Sequence, residues 1–384
     1  MWNKRRANAM IFLEILLAFV VLFGVYTFAS FNWERYRSPL GFDTEDALLV
    51  GVNISDDLDS LVAVNLQARL RRELIAIDGV NEAAFIGGVP PFSSNTWQTS
   101  TDANGFEIFY KMFFADETLP AVAGLKVTDG RWYDEADRTA KYSPIVVNQA
   151  FIDKYYPNAP TMVDSLIITN GTTRIVGVVE DFKYYSNFAE REPIIFFSKL
   201  VFDGQIQPFQ MLWLRTEPGR KADVQEAVYR TAVDLTKDTD VTIADLAELR
   251  TIANRPTLLP LTILSLISSF LLINIALGLF GVLFTQINRR RAEIGLRKAM
   301  GATPGEITAQ FVGEILIVTV AGLFLGTFFA VQVPLLELLP IPAHFFYLGI
   351  GAAIATILLI VILCALIPSR QAAGLHPAHV LHEE

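Results

Sequence analysis

Five cations fall within ten residues of this chain: Arg289, Arg290, Arg291, Arg297 and Lys298. They surround Glu293 and Ile294, and the run closes on Met300 and Gly301. Such a set breaks no bonds. Its chemistry is electrostatic: guanidinium and ammonium groups gripping an acidic or polar surface. Apolar stretches flank it, and a basic loop in that position also sets membrane orientation. Charge alone therefore leaves two readings, a docking element and a purely topogenic loop.

Other chemistry-bearing residues are sparse. Asp56, Asp57 and Asp59 lack the glycine and distal glutamate of an EF-hand loop and read as a helix-capping cluster. His376, His379 and His382 are interrupted by Pro377 and have no further ligands nearby, so they read as a solvated tail. No histidine lies in residues 31–256. Glu14 and Glu314 sit inside apolar stretches, one or two turns from an end, where a structural role is expected over proton relay. The sequence contains no G-x-x-x-x-G-K-[ST], no H-E-x-x-H and no G-x-S-x-G. A non-catalytic chain with no cofactor and no metal of its own is expected.

These residues must be positioned by membrane spans. The chain has 384 residues, 52% of them hydrophobic, and a mean hydropathy of +0.39. That fits a few spans plus one sizeable soluble domain. Four stretches exceed the ~20 residues needed to cross hydrocarbon as a helix: residues 10–30, 257–285, 307–333 and 345–367. The first reads as a retained anchor, since no small-x-small cleavage site follows it. Lys4, Arg5 and Arg6 precede the first span, the basic run follows the second, and Arg370 follows the fourth. By the positive-inside tendency the N-terminus (1–9), the basic elbow (286–306) and the tail (368–384) are cytoplasmic. Residues 31–256 and the short turn 334–344 are then outside. Residues 31–256 hold 22 Lys and Arg against 33 Asp and Glu, a net −11 that reads as solubility. No nucleic-acid partner is expected. The single cysteine, Cys364, permits no internal disulfide.

Two matching patterns bracket the outside domain. Residues 47–54 alternate as a strand, Leu66, Leu70 and Leu74 mark a helix, Asp78-Gly79 a turn, and 80–86 a strand. Later, 211–215 read as a strand, Pro218-Gly219 as a turn, Val224, Val228 and Leu235 as a helix, and 241–244 as a strand. Two β-α-β units could pair into one α/β sandwich. Between them, about 90–203, lie strand-like runs at 145–148, 165–169, 173–179 and 193–198, and a helix at 148–156.

In the elbow, Arg289 and Glu293, and Glu293 and Arg297, are spaced i,i+4 and support a short exposed helix by a few tenths of a kcal/mol each. Ile294 would offer an apolar contact. Gly301 ends the helix, and Thr303-Pro304-Gly305-Glu306 opens the next as a capping box. The second apolar stretch, from about Asn254 and Pro256, is long enough to project as a stalk. Gly278, Gly281, Gly322, Gly326, Gly349 and Gly351 permit close helix contact.

The run RRRAEIGLRKAMGAT, Arg289 to Thr303, resembles the coupling loop of MacB/FtsX-type ABC transporter permeases. Gly130-Arg131, Ile145 to Asn148 and Val176 to Lys183 resemble that family's extracytoplasmic domain, and Pro368 to Leu381 its closing segment, with His382 where a basic residue is usual. The resemblance implies an α+β membrane protein. Four transmembrane helices would carry a large extracytoplasmic α/β domain between helices 1 and 2, a porter-like subdomain interrupted by a β-rich one. It further implies the permease subunit of an ABC system in the bacterial inner membrane, with both termini cytoplasmic. A separate ABC-type ATPase would hold ATP and Mg. The dimer partner would be a second copy or a related permease, and a periplasmic adaptor or effector protein could follow. Arg289, Arg290, Arg291, Glu293, Ile294, Arg297, Lys298, Met300 and Gly301 would form the ATPase-coupling site. The alternative is a stand-alone receptor whose outside domain binds a ligand and signals to a cytoplasmic partner.

Overall fold

The computed structural model describes residues 2–52, 60–103, 106–159, 161–165, 173–198, 200–202, 205–207, 209–237 and 240–373. The chain divides into two compact units, Arg35–Pro256 and a second made of Met1–Glu34 with Thr257–Glu384.

In Arg35–Pro256 the two β-α-β patterns interleave. The first is β1 (Ala47–Gly51), α2 (Ser60–Ile75) and β2 (Val80–Gly87); the second is β11 (Met211–Thr216), α5 (Lys221–Thr236) and β12 (Thr242–Asp245). Their strands run in the order β12-β1-β11-β2, each antiparallel to its neighbour. Neither pattern keeps its own strands adjacent; each admits an inner strand of the other, the split β-α-β arrangement. Strand β1 is apolar at successive positions because both faces are covered. Leu48 and Val50 pack with Leu70, Leu74, Val224 and Val228 of α2 and α5. Ala47 and Leu49 point the opposite way, into a cluster with Phe42 and Trp213.

The intervening segment supplies β3 (Gln98–Ala103), β4 (Phe106–Ala115), α3 (Leu119–Ala123), β5 (Val127–Gly130), β6 (Ser143–Asn148), α4 (Gln149–Tyr155), β7 (Thr173–Val179) and β8 (Ile194–Phe197). A hairpin, β9 (Leu200–Phe202) and β10 (Gln205–Gln207), follows. Strands β4 to β8 extend the same sheet in the order β2-β4-β8-β6-β7-β5, with β3 on β4. Sequence pattern does not foretell this continuity. The join is narrow: only Ile86 with Ala115 and Gly87 with Phe114 are paired. Asp116 reinforces it, accepting from the Phe85 amide at 2.7 Å and forming an ion pair with Arg71 of α2. Burial pushes the Asp116 carboxyl up, against the lowering pull of Arg71 and Thr118. Of the expected strand at 165–169, Ser165 lies outside any strand and the rest lies outside the described residues, as do positions 53 and 54.

The other unit is helical. It draws on α1 (Trp2–Arg37), α6 (Leu246–Arg289), α7 (Arg291–Ala299), α8 (Pro304–Leu335) and α9 (Ala343–Ala373). Four of these are long and apolar enough to cross a membrane: α1, α6, α8 and α9. Inside the unit, Ile15 and Phe19 of α1 lie directly on the α8 backbone. A Cβ at Gly326 would stand 2.4 Å from the Phe19 ring, and one at Gly322 3.2 Å from Ile15. Tyr26 and Thr356 share a hydrogen bond of 2.9 Å between α1 and α9. Gly281 and Gly351, by contrast, face open space. The helices outrun their apolar stretches: α6 begins at Leu246 and passes through Pro256 and Pro260, and α9 passes through Pro368. Proline in a helix interior forfeits one main-chain bond, a loss neighbouring helices and local adjustment can accommodate.

Candidate functional site

The basic run folds as a short helix held at both ends. Helix α6 stops at Arg289; Arg290, at φ −112° and ψ 17°, breaks the helical path and precedes α7. At the far end Gly301 takes φ +98°, its amide donating to Lys298 O at 3.0 Å and that of Ala302 to Arg297 O at 3.0 Å. That pair of bonds is the Schellman stop, which favours glycine because a Cβ is strained at positive φ. Two residues on, the Glu306 amide donates to Thr303 Oγ1 and the Thr303 amide to Glu306 Oε2, the capping box expected for α8.

Tertiary packing then sorts the side chains. Ile294 is buried with Ile287, Ile307 and Phe311. This corrects the expectation that Ile294 offers its apolar surface to a partner: the core of the chain's own long helices already covers it. Leu296 and Met300 point outward instead, 58% and 72% exposed. They are spaced i,i+4 and so share one face. Sequence reasoning misses Leu296 as a site residue. Periodicity within nine residues carries the signal, but which apolar position faces inward depends on where the long helices lie.

The charges divide in the same way. Arg290 is half-buried and pairs with Glu314 of α8 at 2.9 Å. Arg297 pairs with Glu293 at 2.6 Å and also donates to Gln310. Arg289 and Arg291 are exposed and have no ion pair among the described residues. The expected Arg289–Glu293 pair is not made, because the break at Arg290 destroys the i,i+4 register. Lys298 is half-buried on the last turn. Glu14 is not drawn into the elbow; its carboxylate lies against Gly278, where an added Cβ would stand 3.0 Å from Oε2.

Among the described residues no group of three or more His, Cys, Asp or Glu could hold a metal. The histidines of the tail and Asp56, Asp57 and Asp59 lie outside the described residues. The arrangement is a short helix that presents two outward apolar side chains, with Arg289 and Arg291 exposed at its start.

The class follows from these parts: a multi-pass helical membrane protein joined to a mixed α/β sheet domain, with a capped amphipathic elbow between its second and third long apolar helices. Residues 265–377, which include that elbow, match the FtsX-like permease C-terminal family. The chain is homologous to permeases. It is 24% identical over 280 residues to the ABC transporter permease YvrN of Bacillus subtilis (strain 168), covering 68% of this chain and 67% of that one. It is 22% identical over 274 residues to the macrolide export ATP-binding/permease protein MacB of Marinobacter nauticus, covering 69% of this chain. The match spans only 42% of that MacB's length. Among solved structures, the periplasmic region of MacB from Actinobacillus actinomycetemcomitans aligns with a TM-score of 0.40 and 11% identity, over 57% of this chain and 97% of that one.

Proposed function

We propose that this chain is the membrane subunit of an ABC-type system and that α7 is where a separate ATPase subunit docks. The observation that carries the reading is the outward Leu296–Met300 pair on a helix stopped at Gly301 and tied at its start by the Arg290–Glu314 pair. A rigid helix bearing an exposed apolar pair and exposed cations can follow a partner's movement without bending. ATP and Mg belong to that partner; this sequence holds no P-loop. Movement of the ATPases tilts α7, and α6, unbroken from Leu246 to Arg289, carries the displacement toward the α/β domain. The output is export or mechanotransmission, in which cargo need not pass between the spans. The relatives support the ABC assignment: one is named an ABC transporter permease and another an ATP-binding/permease protein.

The remaining assignments follow from that reading. The chain works in the bacterial inner membrane with both termini cytoplasmic, an orientation that the distribution of basic residues favours. It pairs with a second copy or a related permease, and its acidic domain meets a periplasmic adaptor or effector.

Affinity purification of the full chain from its native membrane, with mass spectrometry of what co-elutes, tests the reading. An ABC-type ATPase in near-equal amount, lost on Leu296→Asp, supports docking at α7. A kinase or response regulator in its place would favour the receptor alternative.

A further inference from the structure

The segment Val176 to Lys183 leads from β7 into a loop, residues 181–191, that the coupling elbow does not account for. Its side chains Phe182, Lys183 and Asn187 are buried. Phe182, 1% exposed, stacks on Phe42 at 4.4 Å and meets Phe113 and Phe196 at 5.2 and 5.5 Å, in the centre of the sheet's core. Lys183 is also 1% exposed. Its ammonium donates to three main-chain carbonyls: Arg35 O, Ser38 O at 3.1 Å and Asn187 O at 2.8 Å. Arg35 closes the last turns of α1, and Ser38 follows that helix directly. Burial, and next the charge of Arg35, push Lys183 down to about 8, so it keeps its proton at neutral pH. Arg35 returns the contact, donating to Phe188 O at 3.3 Å and pairing with Glu190. Tyr36 stacks on Phe188 at 5.6 Å.

The same loop grips a second helix. The Asn187 amide donates to Asn254 Oδ1 at 3.0 Å, and Asn254 Nδ2 donates back to Asn187 Oδ1 at 3.0 Å. Arg250 Nε donates to that same Asn187 oxygen at 2.8 Å. Both Asn187 and Asn254 are buried. Arg250 and Asn254 lie in the first turns of α6. The unit Arg35–Pro256 has two chain connections, at its first and last residues. One loop therefore holds both of them, through adjacent residues, and roots itself in the core by Phe182.

We propose that loop 181–191 is a latch that joins the C-terminal end of α1 to the N-terminal end of α6. A displacement arriving along either helix then moves both and enters the sheet core through Phe182. Lys183, Asn187 and Asn254 are its positioning residues. Buried charge-assisted bonds suit this task because breaking any one strands a desolvated partner, so the joint yields as a unit. This inference rests on the coupling reading for its purpose, but its structural content needs no ATPase.

Hydrogen exchange on the full chain in nanodiscs tests it, with Lys183→Met and Asn254→Leu as the variants. Lys183 touches the end of α1, not α6. Lys183→Met is nevertheless expected to speed amide exchange in residues 250–254 about tenfold, and Asn254→Leu to do the same in residues 35–38, with β6 and β7 unchanged. Effects confined to the helix end that each residue touches would overturn the latch. Should Lys183→Met also loosen β6 and β7, Arg35→Gln, on α1 against the same loop, takes its place, with the same two outcomes. Cross-helix exchange in a chain that recruits no ATPase would leave the latch standing and remove only its coupling role.

Discussion

Arg290 Nη1 lies 2.9 Å from the Glu314 carboxylate, with the guanidinium 6.0 Å above the Phe311 ring. One residue thus ends α6, begins the elbow and fastens it to α8. Glu314, an acid within a span, has a structural partner in reach. Removing Arg290 takes this ion-pair partner from a half-buried carboxylate, whereas removing both members takes away the charge as well. Arg290→Ala is expected to lower stability by about 1–2 kcal/mol, and Glu314→Gln to recover part of that loss in the double variant. Thermal unfolding of the four members of this cycle in one detergent measures the coupling; purely additive effects would argue against the pair.

Leu296 and Ile294 differ by two positions and should respond in opposite ways. Leu296→Asp is exposed and should change stability by no more than about 0.5 kcal/mol, yet abolish ATPase association. Ile294→Ala opens a buried site and should cost about 2–4 kcal/mol. Paired melting curves and pull-downs separate the two. A destabilised Leu296→Asp would mean that this side chain is covered after all.

Gly326 and Gly351 offer a matched comparison within the helical unit. Gly326→Ala forces Phe19 to move, because its Cβ would stand 2.4 Å from the ring; a loss of about 1–3 kcal/mol is expected. Gly351→Ala has nothing within 4 Å and should be neutral or slightly stabilising. Equal melting temperatures for the two variants would contradict the close packing of α1 on α8.

Acid should weaken the α/β domain through Asp137. Its two oxygens take hydrogen bonds from Arg131 at 2.6 and 2.7 Å, and that guanidinium holds the carboxyl below its ordinary value. A lowered folded pKa means the unfolded chain takes up the proton first. The contribution is therefore complete above the unfolded value of about 4 and is lost as pH falls through the folded value. Chemical denaturation from pH 6 to pH 3 should show a steeper loss in the parent protein than in Asp137→Asn.

Features that depend on neighbours in sequence are legible in the residues themselves. The capping box at Thr303 and Glu306, the glycine stop at Gly301 and the apolar lengths of the four long helices all follow from residues within one or two turns of each other. So do the paired strand-helix-strand patterns, because alternation and 3.6-residue spacing are local properties. Local reasoning fails where a distant element intervenes. Ile294 reads as outward because its own helix is short and charged around it, and only the packing of the long helices makes that side an interior. The Arg289–Glu293 pair presumes an unbroken helix, and the turn at Arg290 removes it.

By itself, then, the sequence determined that this chain has four membrane-length apolar helices, an α/β domain between the first two, and a basic capped elbow between the second and third. Tertiary structure alone decided which face of α7 is presented, that β2 and β4 fuse two halves into one sheet, and that Lys183 and Asn187 bind both helix ends. The physical reason is common to all three. Burial and pairing across tens to hundreds of residues depend on which surfaces meet, and no local spacing encodes that meeting.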